Sequence, residues 1–327
     1  MLLEIRHLTQ YHYAQPVRES VMELWMQPQK GASQRLISFE VDIQPTARLF
    51  SYADPFGNAV YHFDLPPPHD KLDIVCHSAV ETQEPATLPD RLDLGEWDRL
   101  RSEFVRGEHL DFLTPHGFVE YTPALAAFGQ KHKLDDLRKQ DPLTAVRQVS
   151  KIIHDTLDYQ TGITTAESRI DEALGHGRGV CQDFSHIMIA ILRQWGIPAR
   201  YVSGYLFTDR AAGDRSDPEA THAWVEVFLP SLRWTAFDPT NNIQGGERHV
   251  TVAVGRDYDD VPPSRGVYKG EAESQLAVAV SVRRARATLA EPEFLRAAKP
   301  AFNNPRRRAT NSWNHDQHQQ QIQMQQQ

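Results

Sequence analysis

The segment from position 222 to position 240 constrains the fold most, because it specifies which residues must lie side by side. His222–Leu229 and Arg233–Phe237 are rich in β-branched and aromatic residues and are separated by a turn at Pro230-Ser231. In an antiparallel hairpin the two residue numbers of every pair add up to the same total. For His222 and Asp238 this total differs by only one from the total that the turn at Pro230-Ser231 sets. The pattern therefore predicts an antiparallel sheet in which these two side chains face each other.

A second constraint is the position of Cys181, one of 2 cysteines among 327 residues. A glycine-rich loop from Gly175 to Gly179 precedes it, and an amphipathic helix is predicted to follow and to end at Gly196. The apolar residues of this helix recur at spacings of three and four: Phe184, Ile187, Met188, Ile191, Leu192 and Trp195. The free amides and the positive end of a helix N-terminus favour a thiolate. Cys181 is therefore a candidate nucleophile, and the alternative is a buried, unreactive cysteine.

A nucleophilic cysteine needs a base and a group that orients the base, and the predicted hairpin supplies both. Asp238 can accept the proton of one imidazole nitrogen of His222, which leaves the other nitrogen to serve the Cys181 thiol. Other histidines near these segments compete for the base role: His154, His176 and His186. The first two have no acid predicted beside them, and the third lies on a different face of the helix from the cysteine. Cys181, His222 and Asp238 are therefore the predicted catalytic residues.

Composition excludes several classes of function. A net charge of −8 argues against nucleic acid as a partner, and Arg306-Arg307-Arg308 is interpreted as a solvated feature of the tail. No apolar run reaches the roughly 18 residues of a membrane span, and the first residues lack the apolar segment of a signal peptide. Two scattered cysteines fit a reducing compartment, with Cys76 expected to be a small buried side chain. We expect a cytoplasmic protein that binds neither nucleic acid nor membrane.

Neither a metal site nor a cofactor site is predicted. Zinc sites need clustered Cys and His, calcium loops need alternating acidic residues with glycine, and neither pattern occurs. The glycine-rich loop before Cys181 lacks the preceding strand and the Lys-Ser/Thr ending of a phosphate-binding loop. We therefore expect a peptide or protein substrate without metal or cofactor, and the sequence leaves the oligomeric state open.

The chain divides into four predicted parts. Residues 1–82 alternate apolar and polar residues between turn signals and predict an antiparallel β domain. Residues 83–140 predict a helical connecting region, and residues 141–290 a catalytic core. Residues 291–327, rich in Asn, Gln and His, have too little apolar content to fold and are expected to be disordered.

Two signals mark the ends of the predicted core. Asp141-Pro142 combines an N-cap with proline at the first helical position, so a helix is predicted to begin there. Gln275–Arg283 alternates apolar and small polar residues and is the last strand predicted in the core.

Several linked motifs resemble those of one family: Cys181–His186, Gly196–Tyr205, Thr221–Glu226, Phe237–Asn242 and, near the end, Gly255–Val261. The opening motifs, Thr9–Tyr13 and Asp54–Asn58, resemble the N-terminal β domain that accompanies them. Over about residues 1–290 the chain is similar to the bacterial transglutaminase-like superfamily. The resemblance implies an α+β, papain-like transglutaminase core, in which a helix bearing the cysteine packs on an antiparallel sheet bearing the histidine and the aspartate. It also implies that Cys181, His222 and Asp238 are the triad.

Such a triad predicts thiol-dependent acyl transfer on amide or peptide bonds through a thioester intermediate. The family to which the chain is similar includes transglutaminases, proteases and peptide amidases, so the resemblance leaves the acyl acceptor open. We expect hydrolysis, as by a cysteine protease or amidase. Transfer to an amine, as by a protein-glutamine transglutaminase, and non-catalytic peptide binding are the alternatives.

Four residues are candidates for substrate contact: Tyr159, Trp224, Arg256 and Tyr258. The tryptophan could form an aromatic wall of the cleft. Tyr159 is a candidate second donor to an oxyanion, because residues 171–180 contain no glutamine, which papain-like enzymes often supply there. Arg256 and Tyr258 follow the strand of Asp238 after a short connection, and a loop that docks the N-terminal domain is the alternative for them.

Overall fold

The structure is a computed structural model that describes residues 1–209, 211, 213–217 and 220–285. The tail that we expect to be disordered, with its three arginines, lies outside the described residues. None of the helices in these ranges combines the length and the apolar character that a membrane crossing requires.

The first sheet is antiparallel and contains seven strands within the described ranges. They are β1 (Leu2–Leu24), β2 (Gln34–Gln44), β3 (Phe50–Ala53), β4 (Ala59–Leu65), β5 (His69–Thr82), β13 (Ser264–Lys269) and β14 (Ser274–Arg284). In β1 the odd-numbered residues from Leu3 to Tyr13 are buried, as the alternation in the sequence requires. The predicted N-terminal β domain is therefore confirmed.

Strand β1 serves two halves of this sheet. Its first half, up to Tyr13, lies between β5 and β14, and its second half, from Arg18, pairs with β4 and β13. The pairing of β1 with β5 shifts register between His12 and Val17, and its pairing with β13 shifts between Arg18 and Val21, where Glu19 has a left-handed φ of 52°. One strand thus joins both halves of the sheet.

The pairing of the last two strands corrects one expectation. We counted the strand near Gln275–Arg283 with the catalytic core, whereas β14 and β13 both pair with β1. Periodicity identifies a strand but not the sheet that it joins, and the unpaired edges of β1 offer the backbone partners. The domain boundaries themselves stay a prediction.

Short helices connect the first sheet to the second. In the described residues the helices are α1 (Glu96–Arg101), α2 (Glu103–Glu108), α3 (Pro123–Lys131), α4 (Leu134–Leu137), α5 (Pro142–Thr156), α6 (Ile170–His176) and α7 (Cys181–Gln194), with 3-10 turns at Leu110–Phe112 and Tyr258–Asp260. Helix α5 begins where the sequence predicts, because the Asp141 carboxylate accepts a hydrogen bond from the Thr144 N–H at 3.1 Å. It packs against α7, the helix that begins at the cysteine.

The second sheet is antiparallel with the order β11–β10–β9–β8–β12. Its strands are β8 (Ala199–Leu206), β9 (His222–Leu229), β10 (Arg233–Asp238), β11 (Ile243–Gln244) and β12 (His249–Gly255), and β6 (Asp158–Tyr159) and β7 (Arg178–Gly179) form a short parallel pair apart from it. Ala223, Val225 and Val227 alternate along β9 and share one buried apolar cluster with the residues of α7. A cysteine-bearing helix therefore packs on an antiparallel sheet, and the predicted α+β papain-like fold class is confirmed.

Side chains of the first sheet cover the edge of the second sheet at β12. The Gln34 amide donates to the Thr251 carbonyl and accepts from the Thr251 N–H, both at 2.8 Å. Asn58 makes the same pair of bonds to the backbone of Val254, again at 2.8 Å. Asp54 holds Asn58 in place by accepting its side-chain N–H and its backbone N–H. Two amide side chains thus take the place of a neighbouring strand.

Candidate active site

Cys181 is the first residue of α7 and is partly exposed. The turn before it is fixed by the buried Asp183, whose carboxylate accepts hydrogen bonds from the Val180 N–H at 2.8 Å and from the Thr164 hydroxyl at 2.7 Å. Gly179 must be a glycine for this approach, because a Cβ there would lie 2.6 Å from the Asp183 Oδ2. Gly179 in the glycine-rich loop therefore allows the Asp183 carboxylate to lie against the backbone that precedes α7.

The Cys181 side chain lies in a cleft with about 570 Å³ of space, part of which is open to solvent. Tyr159, Tyr201 and Tyr258 line this cleft together with His222. Burial raises the pKa of all three phenols, so each keeps its proton and can donate a hydrogen bond. Two of the four predicted substrate contacts, Tyr159 and Tyr258, are therefore placed beside the cysteine.

His222 is buried between an acid and the cysteine. Its Nε2 lies 2.8 Å from the Asp238 Oδ2, and its Nδ1 has no hydrogen-bond partner within the described part of the chain. Burial alone would lower the pKa of this imidazole, but the Asp238 charge and the hydrogen bond to Asp238 raise it, and the nearby Cys181 adds to this effect. Burial would raise the pKa of Asp238, and the same partner histidine holds it well below its usual range. The imidazolium form of His222 is thus favoured.

The hairpin register differs by one from the predicted value. Arg233 pairs with Leu229 and Phe237 with Val225, so position 238 falls opposite Trp224. His222 is two residues further along β9 and points to the same side of the sheet, which makes it the diagonal neighbour of Asp238. The pair meets as predicted, although the two residues are not directly opposite.

Several N–H groups besides that of His222 bond the Asp238 carboxylate. Its Oδ1 accepts the backbone N–H of Thr240 at 2.9 Å and that of Asn241 at 3.2 Å, and its Oδ2 also accepts the Asn241 side-chain N–H at 2.7 Å. His249 approaches the same Oδ2 with its Nε2 at 3.3 Å. The sequence reasoning missed Asn241 and His249. The first follows the acid by three residues, as in an Asx turn, and could have been found by that spacing.

Trp224 and Arg256 do not line the cleft of Cys181. Trp224 is 1% exposed and packs with Val202 and Val254, which lie on the other side of the sheet from α7. Because its ring is buried in this cluster, it forms no wall of the cleft. Arg256 lines a second, wider cleft and is held by Asp260 through two N–H···O bonds of 2.9 and 2.8 Å.

The competing histidines have other partners. His186 is buried between aromatic rings and accepts the Tyr258 N–H at 3.2 Å. His154 bonds the Thr240 carbonyl at 2.9 Å, and His176 is exposed at the end of α6. Cys76 is buried in the first sheet, as expected, and burial raises its pKa to about 12.

In two clusters of side chains among the described residues, nitrogen and oxygen atoms that could bind a metal ion lie within 4.8 Å of one another. One is His222, Asp238 and His249, and the other is His116, Asp257 and Asp260. In the first group three N–H donors already converge on the Asp238 Oδ2, and in the second Asp257 and Asp260 accept hydrogen bonds from His116 and Arg256. These hydrogen bonds account for both arrangements, and we assign no metal ligands there.

The chain matches two family models. The model of the bacterial transglutaminase-like N-terminal region matches residues 3–81, and that of the transglutaminase-like superfamily matches residues 132–239, which include Cys181, His222 and Asp238. An uncharacterized protein of Mycobacterium leprae is 34% identical over 283 residues, which make up 86% of this chain and 98% of that protein. The chain therefore belongs to the bacterial transglutaminase-like superfamily.

Two further proteins resemble parts of the chain or its fold. A Cytophaga hutchinsonii structure described as a "Putative Cysteine Protease" has a TM-score of 0.66 at 19% identity and covers 88% of this chain and 92% of that chain. This likeness shows the shared fold. The protein-glutamine gamma-glutamyltransferase of Pseudomonas aeruginosa is 31% identical over 121 residues, which make up 32% of this chain and 17% of that protein.

Proposed function

We propose that the protein is a thiol-dependent acyl-transfer enzyme that acts on amide or peptide bonds, with water as the final acceptor. The observation that supports this most is the placement of the His222 ring. Its Nε2 is held by the buried Asp238 carboxylate, and the ring lines the same tyrosine-lined cleft as Cys181, with its Nδ1 left without a hydrogen-bond partner among the described residues. A base held in one tautomer beside a thiol is the arrangement that activates a cysteine nucleophile.

The reaction runs in two halves. The Cys181 thiolate attacks the carbonyl carbon, and the C–N bond breaks as His222 gives its Nδ1 proton to the departing amine. A thioester remains on the sulfur. In the second half His222 takes a proton from water, the resulting hydroxide attacks the thioester, and the C–S bond breaks to release a carboxylic acid product and the thiolate.

The negative oxygen formed in each half needs hydrogen-bond donors. The backbone amide of Cys181, in the first turn of α7, is one donor in our proposal. The Tyr159 hydroxyl is the second. Its oxygen accepts the Asp217 backbone N–H, so its own proton is left to bond another oxygen, and its pKa is raised by burial and by the nearby Cys181. This assignment gives the candidate substrate contact a defined role.

The two cysteines of the chain provide a matched test. Cys181→Ala removes the proposed nucleophile and is expected to abolish thioester formation and turnover, whereas Cys76→Ala removes a buried thiol and is expected to leave turnover unchanged. In the unmodified chain, iodoacetamide at mildly acidic pH is expected to label Cys181 far faster than Cys76, because only thiolates react and burial disfavours the Cys76 thiolate.

Two results would count against this function. Wild-type turnover in Cys181→Ala would exclude the nucleophile. Equal labelling rates at the two cysteines, without turnover, would favour a peptide-binding module that keeps the fold.

Transfer to an amine is the second candidate, and the likeness to the Pseudomonas aeruginosa protein-glutamine gamma-glutamyltransferase favours it. Incubation with glutamine-containing peptides and a labelled amine, followed by mass spectrometry, separates the two reactions. A carboxylate product supports hydrolysis, and an incorporated amine supports transfer.

A further inference from the structure

A second histidine, His249, touches the carboxylate that holds the proposed base. It is the first residue of β12, is 7% exposed, and places its Nε2 3.3 Å from the Asp238 Oδ2. His222 bonds the same oxygen at 2.8 Å. Trp224 fixes the two imidazole rings relative to each other, since it stacks on His222 at 6.0 Å and meets His249 edge to face at 5.1 Å.

The backbone determines which nitrogen of His249 carries the proton. The Gly246 N–H points at the His249 Nδ1 at 3.2 Å. A backbone N–H can only donate, so Nδ1 must be the unprotonated, accepting nitrogen of a neutral ring. The proton then lies on Nε2, and His249 donates to Asp238.

This donor competes with His222 for one carboxylate oxygen. A carboxylate whose charge is shared among more donors attracts each of them less, and the positive end of the His249 N–H dipole lies close to the His222 N–H. Both effects disfavour the imidazolium form of His222. Removal of the His249 N–H should therefore strengthen the hold of Asp238 on a protonated His222.

We propose that His249 is a positioning residue: a neutral imidazole that holds Asp238 in place and limits how strongly Asp238 favours the charged form of His222. Through this contact His249 sets the upper pH at which His222 gives up its proton. The inference deepens the proposed function and rests on it for its catalytic meaning, whereas the coupling between the two rings is a property of the folded chain.

The other charged and titratable groups around these rings come from several elements. Cys181 of α7 and Tyr159 of β6 face His222 from the cleft, and Asp217 precedes β9 there. Arg248, paired with Asp214, is the cation next to His249. None of them is altered by a substitution at His249 itself, so their contribution is common to all variants.

The sharpest test compares asparagine and glutamine at this position in the full chain. The shorter His249→Asn can keep the acceptor for the Gly246 N–H but cannot reach Asp238, whereas His249→Gln extends its N–H to the position of Nε2. We expect His249→Asn to raise the midpoint of the His222 titration, followed by NMR of the labelled imidazole, by at least ~0.5 pH unit. The midpoint in His249→Gln should stay within ~0.2 unit of wild type.

The pH profile of kcat/KM gives the second readout. Its basic limb should move in the same direction in His249→Asn, with kcat/KM lowered about tenfold and restored by His249→Gln. His69→Phe is the matched control. His69 is buried in the first sheet and bonded at both nitrogens, to Ser20 and to the Pro67 carbonyl, so its loss should lower stability without moving the His222 midpoint.

An unchanged His222 midpoint in His249→Asn, with only a lower melting temperature, would overturn the proposal and leave His249 a structural residue. A failure of the proposed function has a different signature. Cys181 would then label no faster than Cys76, while the NMR titration would still decide whether His249 controls His222.

Discussion

Asp183 is a buried acid in the first turn of α7. It is 1% exposed, and burial raises its pKa to about 6 although two donors bond it. Its folded pKa therefore lies above the ordinary value of 3.8. The folded state binds the proton more tightly than the unfolded chain, so the protein loses stability as pH rises from about 4 to about 6.

Asp183→Asn should remove this loss. Asparagine can still accept the Val180 N–H and does not ionise, so we expect the free energy of unfolding to rise by about 1–3 kcal/mol at pH 8 and to stay unchanged at pH 4. Denaturant unfolding at both pH values measures the difference. Asp155→Asn, at an exposed position of α5, is the control and should have little effect at either pH. Equal stability of wild type and Asp183→Asn at pH 8 would contradict the argument.

At the same scale, the sequence predicted the three proposed catalytic residues but not all the groups that hold them. Cys181, His222 and Asp238 could be proposed because helix-start and hairpin patterns are local. His249 could not, because its contact depends on how the chain returns to β12 and on which nitrogen faces the Gly246 N–H. The expectation that Trp224 lines the cleft was wrong, because its burial against Val202 and Val254 depends on contacts between strands that are distant in the sequence.

At the scale of elements, the packing of β8 against β9 depends on a residue without a side chain. Gly204 pairs with His222, and the Trp224 ring crosses β8 at this point. A Cβ on Gly204 would lie 2.6 Å from the indole Cη2, which is well inside van der Waals contact. Only glycine at position 204 of β8 leaves room for the Trp224 ring, which contacts the imidazoles of both His222 and His249.

Gly204→Ala should displace the Trp224 ring. We expect a loss of about 2–4 kcal/mol in the free energy of unfolding, because the new methyl group meets a buried ring and the backbone of β12. Gly175→Ala is the matched control, since nothing lies within 4 Å of its Cβ position and it stands in the exposed part of α6. That variant should be neutral or slightly stabilised. Similar unfolding curves for the two variants would refute the packing argument.

Local sequence patterns do not fully predict the turn of the hairpin between β9 and β10. A two-residue turn at Pro230-Ser231 was predicted, whereas the loop also takes in Leu232, whose N–H bonds the Leu229 carbonyl at 2.9 Å. Arg233 then begins β10 with a left-handed φ of 62°. The buried Glu96 of α1 accepts the N–H and the hydroxyl of Ser231. This distant contact helps to hold the turn and is not readable from the hairpin sequence.

At the scale of the whole molecule, the two sheets are joined through Gln34 and Asn58. Each amide bonds a backbone N–H and a backbone C=O on the outer edge of β12. The motif Asp54–Asn58, assigned to the N-terminal domain by resemblance alone, thus has a physical role. It places one of the two amides on the strand that begins with His249.

Asn58→Ala is expected to cost about 1–3 kcal/mol in the free energy of unfolding, because it leaves the buried N–H and C=O of Val254 without their partner. Thermal unfolding followed by circular dichroism measures the loss. Gln44→Ala is the control, since this exposed amide bonds only the exposed Asp42 at 3.3 Å among the described residues. An Asn58→Ala melting temperature equal to that of the control would show that water replaces the amide without cost.

The shared strand β1 has a consequence for when the first sheet can form during synthesis of the chain. Strand β1 needs β13 and β14, which leave the exit tunnel some 240 residues later, so a nascent chain must carry a half-paired edge of β1 over that length of synthesis. Such an edge invites association with other unfinished chains. Emergence of β13 and β14, rather than of β1, is then the moment at which the first sheet can close.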